Sequence, residues 1–211
     1  MLNTLIKKDF RLLLKDWPKL LFSLSLYTIL LLSYQIVFPS YKSQSVDASS
    51  HGLLYAITLV SFVIQSYFIK FESDPDYRQN IIGYIYKLHG NLYSFVFSKF
   101  LTLAVIALLH TFMLLLILMI TEPILTALLH SASIFFYMVI CALMLLFANS
   151  LILKNDTGFY ALIILPFIIP YMLLSIGVAD NWHYLLIILG IVLLKVPIVL
   201  FLIAIMLARE V

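Results

Sequence analysis

Lys195 falls near the middle of the last apolar run of the sequence, at a depth where an amine costs about 2.5–3.5 kcal/mol on insertion scales and usually faces protein or a wet cavity. It is the best single candidate for a polar contact with a transported molecule; the alternative is a lysine that snorkels along a tilted segment or pairs with a polar group for packing. His110, in the third run, and His130, at the outer part of the fourth, are of the type that supplies axial ligands to an iron porphyrin. More often such histidines hydrogen-bond a neighbouring helix. Glu72, Asp74 and Asp76 are close enough in sequence to suggest a cation site, but no histidine or further carboxylate has suitable spacing.

Other chemistries lack their residues. The sequence contains no His-Glu-x-x-His, no Gly-x-Ser-x-Gly and no pair of carboxylates within the apolar runs, so an intramembrane enzyme is not expected. It also contains no Gly-x-x-x-x-Gly-Lys loop. ATP-driven work would therefore need a partner that binds ATP. The chain itself is expected to bind no cofactor or metal and no nucleic acid.

The elements that must position these residues are set by composition. Of the 211 residues, 64% are hydrophobic and 11% charged, and the mean hydropathy is +1.11, far from the usual soluble domain. Apolar runs at about 18–38, 52–69, 98–120, 124–152, 159–178 and 184–208 are each long enough to cross roughly 30 Å of hydrocarbon as a helix. The reading is an all-α integral membrane protein with six transmembrane helices. Residues 1–211 then form one membrane domain, with no stretch left over for a soluble core. The first run is too long for a signal peptide and no small-x-small cleavage site ends it. The single Cys141 precludes an intramolecular disulfide.

Charge sets the orientation. With the N-terminus in the cytoplasm, Lys7, Lys8, Arg11, Lys15, Lys19, Lys70, Arg78, Lys87, Lys99, Lys154 and Arg209 all lie on the inner side, leaving only Lys42 outside and Lys195 within a span. The positive-inside rule then puts both termini in the cytoplasm. The outer links, Pro39 to His51, Thr121 to Pro123 and Ala179 to His183, are short. His51 and His183 are at that outer surface and form only a weak pattern for handling an iron porphyrin.

Two stretches outside the spans are amphipathic. In residues 1–17, Leu2, Ile6, Phe10, Leu13 and Trp17 form one stripe, while Thr4, Lys8, Arg11 and Lys15 line another face, predicting a basic interfacial helix on the membrane lipid. In the longest internal loop, Asp74 and Asp76 flank Pro75 and could cap a helix. Its stripe would be Tyr77, Ile81, Ile85 and Leu88, with Arg78 pointing elsewhere. Such a helix suits contact with a soluble motor or, equally, a connector resting on the membrane.

The fifth run carries Pro166 and Pro170, four residues apart on one helical face. Each removes a backbone donor and crowds the carbonyl one turn back. The freed carbonyls of Leu162 and Pro166 need partners in lipid, which predicts a kinked helix with this face toward protein, either as a hinge or as a static packing kink.

Leu153-Lys154, an eleven-residue interval and the Pro166-Phe-Ile-Ile-Pro170 stretch resemble the cytoplasmic loop and fifth helix of the heme exporter protein B (CcmB) family, permease subunits of the cytochrome c maturation ABC transporter. The basic N-terminal Phe10-Arg11 with Lys15, the length, and the placement of Asp74, Asp76 and Lys99 agree with that family's layout. The family's Asp-Gly-Ser/Thr-Leu-Glu motif is not reproduced: Tyr77, Arg78, Gln79 and Asn80 follow Asp76. The resemblance implies an ABC-2-type permease fold in the cell inner membrane and a separate ABC ATP-binding subunit that carries the ATP. It further implies a heme-handling membrane subunit, a periplasmic heme chaperone, and heme as candidate cargo. In that setting Glu72, Asp74, Asp76, Tyr77, Arg78, Ile81 and Ile85 would couple to the ATPase, and Pro166 and Pro170 would form a hinge. A permease for a lipid, drug or peptide, and a membrane assembly factor without a motor, are the alternatives.

Overall fold

The structure, a computed structural model, describes residues 2–15, 17–37, 56–66, 68, 83, 85–87, 92–151 and 160–210. Among them the regular structure is entirely helical: α1 (Leu2–Lys15), α2 (Trp17–Val37), α3 (Ala56–Ser66), α4 (Tyr93–Thr121), α5 (Ile124–Leu151), α6 (Tyr160–Gly177) and α7 (His183–Glu210). The helices α4, α5 and α7, with 29, 28 and 28 residues, are about 40 Å long at 1.5 Å per residue. They are long and apolar enough to cross a membrane. The apolar stretches described in α2, α3 and α6 are shorter, at Trp17–Ser33, Ala56–Ser66 and Pro166–Gly177.

Helix is the conformation that hydrocarbon permits, because it satisfies each backbone donor and acceptor within one segment. Where the chain must turn, local bonds close the ends. At the α4–α5 corner Glu122 is extended and its amide donates to the Leu118 carbonyl at 2.8 Å. Pro123 starts the next turn, and its carbonyl accepts from the Ala127 amide at 3.0 Å. At the α6–α7 corner the amides of Asp180 and Asn181 both donate to the Gly177 carbonyl at 3.0 Å. Gly177 fits closely there: a Cβ would approach the Tyr184 ring to 3.1 Å, so that ring would have to shift slightly.

The centre of the bundle is α5, which packs against α4, α6 and α7 and is the most enclosed of the three long helices. Its inner positions alternate small residues (Ser133, Cys141, Ala142, Ala148) with large ones (Ile134, Tyr137, Met138, Leu145), all buried. The small positions let backbones approach closely, the packing that holds helices together where lipid is as apolar as leucine. Outward-facing positions are also apolar: Phe22 and Ile29 on α2, Phe112 and Ile120 on α4, and Leu193, Leu194 and Phe201 on α7 are exposed. An apolar surface this extensive is matched to lipid, since soluble monomers rarely expose such continuous patches.

Three expectations are revised by the packing. Helix α4, from the third apolar run, starts at Tyr93 rather than near residue 98, and Lys99, expected at the inner side, is buried in the interior beside Ser98. In α1 the inward line runs through Asp9 and Leu13, both buried, while Trp17, placed on the predicted apolar stripe, is exposed at the start of α2. Helix α6 continues through Pro166 and Pro170, and both prolines lie on its exposed side. The inward face of α6 is instead Ile164, Ile168 and Ser175. Branched aliphatic side chains fill the groove beside α5, and the prolyl ring, itself apolar, is accommodated on the outside.

The packing predicts that Ala142→Leu, which adds bulk at a fully buried α5 position, lowers stability by about 1–3 kcal/mol through overpacking. Thermal unfolding in detergent measures it, with the exposed Leu125→Ala as control. Equal melting of the two variants would show that α5 is not the enclosed helix.

Candidate functional site: a buried polar joint between α1 and α4

Helix α1 is fastened to α4 by charge as well as by apolar contact. The Asp9 side chain is 2% exposed and that of Lys99 5%. Lys99 Nζ donates to Asp9 Oδ1 at 2.9 Å, and Ser98 Oγ donates to Asp9 Oδ2 at 2.5 Å. Both carboxylate oxygens are therefore engaged. The ammonium also lies 5.8 Å from the centroid of the Phe95 ring. One turn along α4, Thr102 Oγ1 donates to the Ser98 carbonyl at 3.1 Å.

Local sequence explains this geometry. Asp9 and Leu13 are four residues apart on α1, so a carboxylate and an aliphatic side chain point the same way. Leu13 joins the core containing Tyr27 and Leu103, and Leu5, half-buried one turn before Asp9, packs on the cluster formed by Phe95, Val96 and Leu200. Lys7, Arg11 and Lys15 remain exposed on the other side. A buried ion pair is costly to assemble because both charges leave water, yet once assembled it resists loss of either partner. Such a joint fastens α1 to the base of α4.

The residues singled out in the sequence are dispersed. His110 is fully buried on α4, with Nε2 3.2 Å from Ser23 Oγ of α2 and Nδ1 2.8 Å from the Ile106 carbonyl. Its ring meets Tyr27 edge-on, centroids 5.5 Å apart. His130, in α5, has Nδ1 3.0 Å from Glu122 Oε2 across the α4–α5 corner. Lys195, half-buried on α7, donates to the Tyr171 hydroxyl of α6 and lies 4.5 Å from the centroid of that ring. All three serve as ties between neighbouring elements. A fourth tie joins α5 to α6, where Ser133 Oγ donates to the Ser175 carbonyl at 2.9 Å.

Of the expected ATPase-coupling residues, Glu72, Asp74, Asp76, Tyr77, Arg78 and Ile81 lie outside the described residues, as does Leu153-Lys154. Ile85 is described and is buried in the cluster with Leu92, Phe95 and Ile203. No group of three or more histidine, cysteine or acidic side chains that could hold a metal occurs among the described residues. Asp9 was not singled out from sequence, although a signal was available: it is the one acid among the basic residues of 2–15, and Lys99 is a base inside an apolar run.

Among the described residues these contacts define an all-helical arrangement with three helices long and apolar enough to cross a membrane, held by polar ties between helices. Comparison with protein families, characterised proteins and solved structures finds no match.

Breaking the joint from one side should be expensive. Asp9→Asn is expected to cost about 3–5 kcal/mol, the range for a buried pair that loses one charge, and Ser98→Ala about 1.5–3 kcal/mol for a hydrogen bond to a charged group. Thermal unfolding of the purified chain reads both, and Lys7→Gln on the exposed side of α1 should melt with the unmodified protein.

Proposed function

We propose that this chain is the permease subunit of an ABC transporter complex acting in heme delivery for cytochrome c maturation. In this reading it has six spans in the ABC-2-type arrangement, both termini at the cytoplasmic face of the inner membrane, and no catalytic site of its own. A separate ATP-binding subunit supplies the hydrolysis, and the chain transmits the motion to export of heme or release of the heme-loaded chaperone.

The observation that carries the reading is the Asp9–Lys99–Ser98 joint. It ties the basic N-terminal helix to the base of α4, directly after the loop expected to meet the motor. A displacement delivered to that loop would move α1 and α4 as one lever, and α4 runs 29 residues into the bundle. The resemblance carried by Pro166, Pro170, Phe10, Arg11 and Lys15 supplies the choice of complex.

A second reading, the same kind of permease with a lipid, drug or peptide as cargo, is favoured by the state of the histidines. Both ring nitrogens of His110 have protein neighbours and Nδ1 of His130 faces Glu122, so coordination by His110 would first require loss of an existing contact. Under the maturation reading the chain transmits motion and need not touch heme.

Affinity capture of the tagged chain from native membranes in mild detergent, followed by mass spectrometry, tests both. Recovery of an ABC ATP-binding subunit together with heme-handling proteins is the expected result. An ATP-binding subunit alone would keep the permease and reassign its cargo; capture without any ATP-binding subunit would contradict both and favour a motor-free assembly factor. Replacing Pro166 and Pro170 together with alanine is expected to leave membrane insertion intact and to uncouple ATP hydrolysis from cytochrome maturation. Maturation at the normal rate in that variant would rule out a hinge at these prolines.

A further inference from the structure

Helices α2, α3 and α4 enclose a second polar group that the joint between α1 and α4 does not use. On α3, Thr58, Ser61 and Gln65 follow a three-then-four spacing and are fully buried, so they form one inward stripe. Facing it are Ser23 and Tyr27 of α2 and His110 of α4, all buried. His110 links the walls: Ser23 Oγ is 3.2 Å from its Nε2, and the rings of Tyr27 and Phe68 lie edge-on to it at 5.5 and 6.4 Å between centroids. The Tyr27 hydroxyl neighbours that of Ser61.

The Gln65 amide makes no hydrogen bond to protein at either Nε2 or Oε1, and Tyr27 Oη and Ser61 Oγ have at most each other. Buried polar atoms are nearly always partnered, and in hydrocarbon no lipid chain can take the place of a partner. Ser131 Oγ on α5 is a further case but stands outside this group. A primary amide with both ends unengaged is different, because it needs a donor and an acceptor at once.

We infer that Tyr27, Ser61 and Gln65 form an intramembrane binding site for a small uncharged molecule that both donates and accepts hydrogen bonds, and that the resident ligand is water. The donor set decides the class. Tyr27, Ser61 and Gln65 carry no formal charge to balance an ion, and they offer too few oxygens for a hard cation, which takes six or more. Water accepts from Gln65 Nε2, donates to Gln65 Oε1, and bridges to the two hydroxyls, giving the two to four polar contacts that internal waters make. The α2–α3–α4 seam is then the wet seam of the bundle. This inference is independent of the cargo and the motor.

X-ray radiolytic hydroxyl-radical footprinting of the full-length protein in lipid nanodiscs, read by mass spectrometry, tests it, because radicals generated from bound water label the adjacent side chains. Tyr137 on α5 is the reference, being a tyrosine as deeply buried as Tyr27 whose side-chain neighbour is Cys141 rather than Ser61. The expected result is that Tyr27 and Phe68 oxidise several-fold faster than Tyr137. Gln65→Leu, and the milder Ser61→Ala if the first variant does not fold, should slow labelling of Tyr27 toward that of Tyr137. Equal, slow oxidation of Tyr27 and Tyr137 in the unmodified protein would overturn the inference, as would undiminished labelling of Tyr27 in a folded variant.

Discussion

The pairing of the Asp9 carboxylate with the Lys99 ammonium is the constraint from which the arrangement at the base of the bundle follows. Neither charge could remain in this interior alone, since hydrocarbon and packed aliphatic side chains solvate neither. Their need for one another sets the rotation of α1 about its axis, with Asp9 and Leu13 inward and Lys7, Arg11 and Lys15 outward. It also fixes the depth of α4, which must bring Ser98 and Lys99 level with α1.

Away from the joint the same logic recurs with weaker bonds. Ser23 with His110, Ser133 with Ser175, and Lys195 with Tyr171 each join two helices through a polar contact set in apolar packing. Contacts of this kind in membranes are worth roughly 1 kcal/mol each. They specify which helix faces which, while the close packing around α5 supplies most of the cohesion. Among the described residues, the Asp9–Lys99 pair is the ionic fastening buried on both sides, and the other ties are weaker.

Helix positions were legible in the sequence because a long apolar run has few alternatives in a bilayer. Helix rotation was less so. The stripe through Leu2, Ile6, Phe10 and Trp17 identified an amphipathic helix at 2–15, but apolar periodicity could not reveal that an acid near its edge has a lysine ninety positions later as its partner. The prolines of α6 mislead for a related reason: their backbone defect suggests a sheltered face, whereas Ile164 and Ile168 fit the groove beside α5 and turn the prolines outward. His110, read as more often bonded to a neighbouring helix, and Lys195, left open between a substrate contact and a packing pair, both meet polar neighbours, and the identities Ser23 and Tyr171 depend on three-dimensional packing.

A double-mutant cycle on the joint tests this account most directly. Asp9→Leu, Lys99→Met and the double variant would be purified in lipid nanodiscs and their thermal stabilities compared. The account predicts that each single replacement destabilises more than the two together, because a buried charge without its counterpart costs more than an apolar pair of similar volume. Losses that simply add would mean that Asp9 and Lys99 act independently and that α1 is held to α4 by apolar contact alone.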